Sequence, residues 1–177
     1  RNSLRDLKDL LELCAPGAAE SGNGEVNDLI KTGKVGIVNH WSGQLGLLMN
    51  NPETKRNGEW GYTYLENPWG TVWSFGINAA GINKKEALSY VLFATNEEND
   101  IKQGPLSGSP VRETSFRGAS QPWYGAVLKA LERKNSFPSF VNFSAMAGKL
   151  YGMVTDVLSG KSSIEEALAE AERGISL

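Results

Sequence analysis

The chain has 177 residues, of which 40% are hydrophobic and 21% are charged, and its formal net charge is −2. This length and composition are typical of a globular protein with a sizeable core, and the charge offers no electrostatic basis for nucleic-acid binding. A single cysteine excludes an intrachain disulfide, and no apolar run is long enough to span a membrane.

The first half of the chain is predicted to alternate between helices and strands. Helical periodicity predicts a helix over 3–14, in which Cys14 closes the apolar face as a buried residue, and a second helix over 25–33. Residues 50–59 are predicted to be a surface turn. Short apolar or alternating runs predict three strands: KVGIVN at 34–39, WGYTYLE at 60–66 and TVWSFGINA at 71–79.

The second half is predicted to be mostly helical. Helical patterns occur at 84–95, 122–134, 144–160 and 163–175. The helix at 84–95 is apolar on nearly every side, so we expect it to be buried. Residues 104–121 are rich in Gly, Ser and Pro, which indicates a loop or a crossover. Since the strands are few and separated by helices, the predicted class is α/β.

The residues give little support for catalysis. His40 is the only histidine, and no phosphate-binding glycine motif is present. We therefore expect no metal and no cofactor. Glu66, close to Trp69, could supply half of the carboxylate pair of a glycoside hydrolase, but the spacing identifies no second carboxylate. We expect a protein that is not an enzyme.

Four stretches carry a resemblance to a known family. They are GKVGIVNHWSG at 33–43, WSFGINAAGINKKEALSYVLFAT at 73–95, GPLSGSPVRETSF at 104–116 and LSGKSSIEEALAEAERGI at 158–175. In this order they resemble the carboxyl-terminal half of the sugar-binding, maltose-binding-protein-like solute-binding proteins of ABC importers. The resemblance covers essentially the whole chain but only about the last half of such a protein. Because residue 1 is Arg, we expect a processed chain or a piece of a longer protein.

The resemblance implies the carboxyl-terminal part of a two-lobed, type II periplasmic-binding-protein-like fold with crossover strands. On that mapping, residues 1–71 and 120–177 belong to the carboxyl-terminal lobe, and 76–112 contribute to the amino-terminal lobe. Crossovers are expected at 72–75 and 113–119. The missing amino-terminal half of the same protein becomes an expected partner.

The resemblance also implies a set of ligand-binding residues in the cleft between the lobes. From the residues alone, a strand tryptophan such as Trp73 is more often a core residue, but the resemblance favours a platform on which a sugar ring stacks. Trp60 and Trp123 are predicted to be packing residues. The predicted ligand-binding residues are Asn39, His40, Trp41, Trp69, Trp73 and Arg112.

The function implied is the substrate-binding component of an ABC importer, which binds a carbohydrate and delivers it to the membrane permease. The expected location is periplasmic, or extracellular and membrane-anchored. Two alternatives stay open: a solute-binding protein for a non-sugar solute, and a carbohydrate-active enzyme that uses Glu66.

Overall fold

A computed structural model of the chain describes residues 1–118, 120–136 and 142–175, with side chains as far as residue 174. The α-helices of this part of the chain are α1 (Asn2–Leu11), α2 (Asn23–Lys31), α3 (Leu45–Met49), α4 (Pro52–Arg56), α5 (Lys84–Ala94), α6 (Glu97–Ser107), α7 (Glu113–Gly118), α8 (Tyr124–Arg133), α9 (Phe143–Leu158) and α10 (Ile164–Ile175). Two short 3₁₀ turns are formed by Ala18–Glu20 and Ser42–Gln44. None of the described helices is both long and apolar enough to cross a membrane.

The predicted α/β class is wrong, because the described residues form a helical structure. Their strand pairing is limited to one parallel bridge between Trp69 and Asn135, in which Asn135 N–H donates to Pro68 O at 2.8 Å and Gly70 N–H donates to Asn135 O at 2.9 Å. The segments 34–39, 60–66 and 71–79 are not strands. Alternating side chains favour extended backbone, but a sheet also needs a neighbouring strand, and these segments pair with no described strand.

The type II fold with crossover strands is wrong for the same reason. Residues 72–75 have no regular structure, and most of 113–119 is the helix α7. Ala119, the last residue of the predicted second crossover, lies outside the described residues.

The stretch predicted to be a loop at 104–121 contains the end of α6 and all of α7. Asn96 caps the amino end of α6, where its Oδ1 accepts a hydrogen bond from Asn99 N–H at 2.8 Å. The buried carboxylate of Asp100 accepts backbone N–H bonds from Val111 and Arg112, the shortest at 3.0 Å. These bonds fix the connection between the two helices, so a Gly- and Pro-rich sequence still has an ordered path.

Residues 27–137 form one compact unit of the chain. Its core is a cluster of three buried aromatic residues and one valine: Phe116, Trp123, Tyr124 and Val127. Partly buried residues from α3, α8 and the segment after α4 pack against this cluster: Leu45, Met49, Tyr62 and Leu128. Trp123 is only 2% exposed, and its indole N–H donates to the carbonyl of Gly108, which confirms the prediction that it packs.

Residues 1–26 and 138–177 form a second compact unit, in which α9 packs against α10 and α1. Val157, Ala167 and Leu4, one from each helix, are buried there. The last helix begins with a capping box in which Ser163 Oγ accepts from Glu166 N–H at 3.2 Å and Glu166 Oε2 accepts from Ser163 N–H at 3.0 Å.

Two predictions of burial are wrong. Cys14 is exposed, because α1 ends at Leu11 and its apolar face does not extend as far as the cysteine. The helix predicted at 84–95 exists as α5, but its large apolar side chains are exposed: Leu88, Tyr90, Leu92 and Phe93. The apolar composition of α5 predicted that other residues would pack over it. Within the described part of the chain, these side chains are not covered.

Candidate functional site

The candidate residues 39–41 lie in the loop that enters the first 3₁₀ turn after α2. Trp41 occupies the N-cap position of that turn, and its carbonyl accepts from Gln44 N–H at 3.0 Å. Trp41 is half in solvent, with 50% of its surface exposed. Asn39 is exposed as well.

His40 is held by the first helix of its unit. Its Nε2 lies 2.8 Å from Asn27 Oδ1, and Asn27 Nδ2 donates to Gln44 Oε1 at 3.0 Å. Because Asn27 Oδ1 can only accept, Nε2 carries the proton. Burial lowers the pKa of His40 below its ordinary value, so the ring is neutral at pH 7. A neutral imidazole suits hydroxyl groups, and this one also orders the loop that carries Trp41.

Trp73 lies in the segment 71–79, which has no regular structure. Its side chain is 95% exposed, and within the described part of the chain the indole makes no hydrogen bond or ring contact. Phe75, two residues further on, meets Tyr90 of α5 edge-on, with 6.2 Å between the ring centroids. A cavity of about 230 Å³ follows at the junction with α5, lined by Ile77, Asn78 and Ile82 among others.

The two remaining candidates have structural contacts. Trp69 is exposed, and its backbone forms the bridge to Asn135. Arg112 Nε and Nη2 donate to the carbonyl of Thr95 at 3.1 and 2.7 Å, which ties the connection after α6 to the end of α5. The guanidinium is exposed and keeps further N–H groups for a ligand.

The structure therefore brings Asn39, His40 and Trp41 together in one ordered loop. Trp41 and Trp73 form no ring pair with each other within the described residues. Glu66, the carboxylate of the enzyme alternative, is exposed. No three His, Cys, Asp or Glu side chains of residues 1–118, 120–136 and 142–175 are grouped so that they could hold a metal ion.

A second cavity involves residues that the sequence did not predict to bind a ligand. It has a volume of about 250 Å³ and is lined by Thr54, Trp60, Tyr62 and Trp123 among others. Trp60 was predicted to pack, and only the alternation of aromatic residues in WGYTY could have indicated a shared face. The position of Thr54 beside those rings depends on the tertiary fold and leaves no signal in the sequence.

No protein-family model matches the chain, and no curated protein matches it significantly.

Proposed function

We propose that this chain is part of the substrate-binding component of an ABC importer and that it binds a carbohydrate on its exposed indole surfaces. The bound sugar is delivered to the permease in the membrane, so the protein works outside the cytoplasm. This role requires no cofactor and no chemical step on the ligand.

The observation that carries the proposal is the exposure of Trp73 and Trp41. An indole with 95% of its surface in water contributes little to the core and leaves a large apolar face hydrated. The C–H face of a pyranose covers such a surface while its hydroxyls stay free for amide and imidazole partners. Asn39 and the neutral His40 supply those partners next to Trp41.

A further part of the same protein is the proposed partner of α5. Four large apolar side chains of this helix are exposed, as are Val72 and Phe75 of the preceding segment. Exposed apolar side chains in this number favour an interaction site. The amino-terminal half implied by the family resemblance would cover it.

Calorimetric titration of the 177-residue chain tests the proposal. The panel contains neutral mono- and disaccharides, with spermidine and a free amino acid as non-sugar solutes. We expect saturable binding of at least one sugar, unchanged sugar after long incubation, and binding weakened in Trp41→Ala and Trp73→Ala. Leu13→Ala, an exposed apolar residue of the other unit, is the control and should bind normally. Binding of spermidine and of no sugar would contradict the proposal.

A further inference from the structure

The side chains of Asn27, His40 and Gln44 form a hydrogen-bonded relay between α2 and the loop that carries Trp41. His40 Nε2 lies 2.8 Å from Asn27 Oδ1, and Asn27 Nδ2 donates to Gln44 Oε1 at 3.0 Å. Both bonds are partly buried, and a hydrogen bond shielded from water is stronger than an exposed one. Because Asn27 belongs to a helix, the relay ties the orientation of the His40 ring to a fixed backbone.

The relay runs in one direction. An amide donates only through its nitrogen and accepts only through its oxygen. Since Asn27 uses its nitrogen toward Gln44, its oxygen is left to accept from His40 Nε2. In a neutral imidazole with a proton on Nε2, the other nitrogen, Nδ1, carries a lone pair and can only accept.

Nδ1 of His40 is open to a ligand. It has no hydrogen-bond partner among the described residues, and it is not one of the side-chain atoms that burial removes from solvent. An accessible acceptor on a ring of fixed orientation requires a donor from the ligand. A sugar hydroxyl supplies that donor, whereas a group that only accepts, such as a carboxylate, does not.

The charged side chains of α2 are engaged with other groups. Lys31 Nζ donates to Asp28 Oδ1 at 3.2 Å, and Glu25 accepts a backbone N–H at the start of the helix at 2.9 Å. The turn Ser42–Gln44 and α3 contain no ionisable residue. Burial is accordingly the cause of the lowered pKa of His40, and the ring is neutral at pH 7.

We infer that Asn27 is a positioning residue that fixes His40 as a hydrogen-bond acceptor, so that the ligand of the Trp41 loop must donate a hydroxyl to Nδ1. This inference rests on the proposed function, because the hydroxyl belongs to the sugar that is proposed to stack on Trp41. It adds a requirement of hydrogen-bond polarity, which a neutral sugar meets and an acceptor-only group does not.

Nitrogen NMR of the chain labelled with ¹⁵N-histidine tests the tautomer. His40 is the only histidine, so both ring resonances belong to it, and their couplings to the ring protons distinguish Nδ1 from Nε2. At pH 7.5 we expect a protonated Nε2 and an unprotonated Nδ1. In Asn27→Ala the two resonances should move toward each other, because neither tautomer is then fixed. A protonated Nδ1 in the parent chain at this pH would overturn the inference.

Titration of the labelled chain with sugar tests the contact. The probes are the neutral sugars of the calorimetric panel, among them glucose, galactose and maltose, and the tightest binder is used at saturation. A hydroxyl that donates to Nδ1 should move its resonance toward that of a protonated nitrogen. If the sugar binds, Trp41→Ala weakens its binding and Nδ1 does not move, the inference is refuted and the proposed function stands. If no sugar binds, both are refuted.

The variant Asn27→Asp separates positioning from folding. A carboxylate beside Nε2 favours the protonated ring and raises the pKa of His40, so Nδ1 of the variant carries a proton in mild acid. At pH 6.5 the variant should bind the sugar about 2- to 10-fold more weakly than the parent chain, the effect of one hydrogen bond. At pH 8.5 both rings are neutral, and the two affinities should agree.

Asn23→Asp is the matched control for this pair of measurements. It makes the same charge change on an exposed residue of the same helix, and it should bind the sugar like the parent chain at both pH values. Recovery of Asn27→Asp at pH 8.5 would support positioning, since a damaged fold is not repaired by a change of protonation on one ring. An equal loss at both pH values, or no loss at either, would refute the role of Asn27.

Discussion

His40 makes the stability of its unit sensitive to mild acid. Burial lowers its pKa in the folded chain, whereas the unfolded chain has the ordinary value of about 6.5. Between these values the unfolded state binds more protons, so the free energy of unfolding rises with pH and is lost as the pH falls through this range. We expect the melting temperature to fall from pH 7.5 to pH 5.5.

The variant His40→Gln isolates this effect. A glutamine amide can still donate to Asn27 Oδ1, but it does not titrate. Thermal melts at pH 7.5, 6.5 and 5.5 should therefore show a flatter pH dependence for the variant than for the parent chain. Equal slopes for the two chains would show that other groups cause the dependence.

The burial and contacts of individual residues could be predicted from the sequence in some cases and not in others. Trp123 was correctly predicted to pack, because a tryptophan at the start of an amphipathic helix has an apolar face to join. Cys14 was wrongly predicted to be buried. The prediction extended the apolar face of the first helix to residue 14, but the helix ends at Leu11. The contact between Arg112 and Thr95 joins residues 17 positions apart and could not be read from local pattern.

The packing of α3 against α6 depends on a glycine. A Cβ at Gly46 would lie 2.5 Å from Pro105 O and 2.6 Å from Leu106 C, and backbone atoms cannot move aside cheaply. We expect Gly46→Ala to reduce the free energy of unfolding by about 1–3 kcal/mol in urea titrations.

Gly125→Ala on α8 is the matched control. Nothing lies within 4 Å of a Cβ built there, so the better helix propensity of alanine should stabilise the chain by up to about 1 kcal/mol. If both variants unfold at the urea concentration of the parent chain, the close approach of α3 and α6 is absent in solution.

Helix α5 should be the least protected of the long helices in residues 27–137. Its apolar side chains are exposed, whereas α8, a helix of similar length, buries Tyr124 and Val127. Hydrogen exchange followed by mass spectrometry should therefore show amides of 84–94 exchanging before those of 124–133. Equal protection in a verified monomer would mean that something in the chain covers α5.

At the level of elements, periodicity was a better guide to helices than to strands. A helix satisfies its backbone hydrogen bonds within one segment, so the patterns at 84–95, 122–134 and 163–175 led to correct helices. A strand needs a second segment, and the apolar alternation of 71–79 carries no information on whether one is present. The predicted α/β class was wrong because the segments predicted to be strands have no partner strand among the described residues.

The molecule as a whole leaves much aromatic and aliphatic surface uncovered on residues 27–137. Trp73 has the highest exposed fraction of the tryptophans in this unit, while Trp123 in the same unit is buried. This contrast within one unit separates a core tryptophan from an exposed tryptophan without reference to any relative. The account depends on that distinction, and the binding role of Trp73 and Trp41 stays a prediction.

Fluorine NMR of the chain labelled with 5-fluorotryptophan tests this distinction most directly. The five tryptophans give five resonances, each assigned by its own Trp→Phe variant. Saturation with the sugar that binds should shift the resonances of Trp73 and Trp41 and leave that of Trp123 unchanged, because a stacked sugar ring changes the surroundings of the indoles it covers. If no sugar of the panel moves the Trp73 and Trp41 resonances, these tryptophans are not sugar-binding surfaces and the proposed function is wrong.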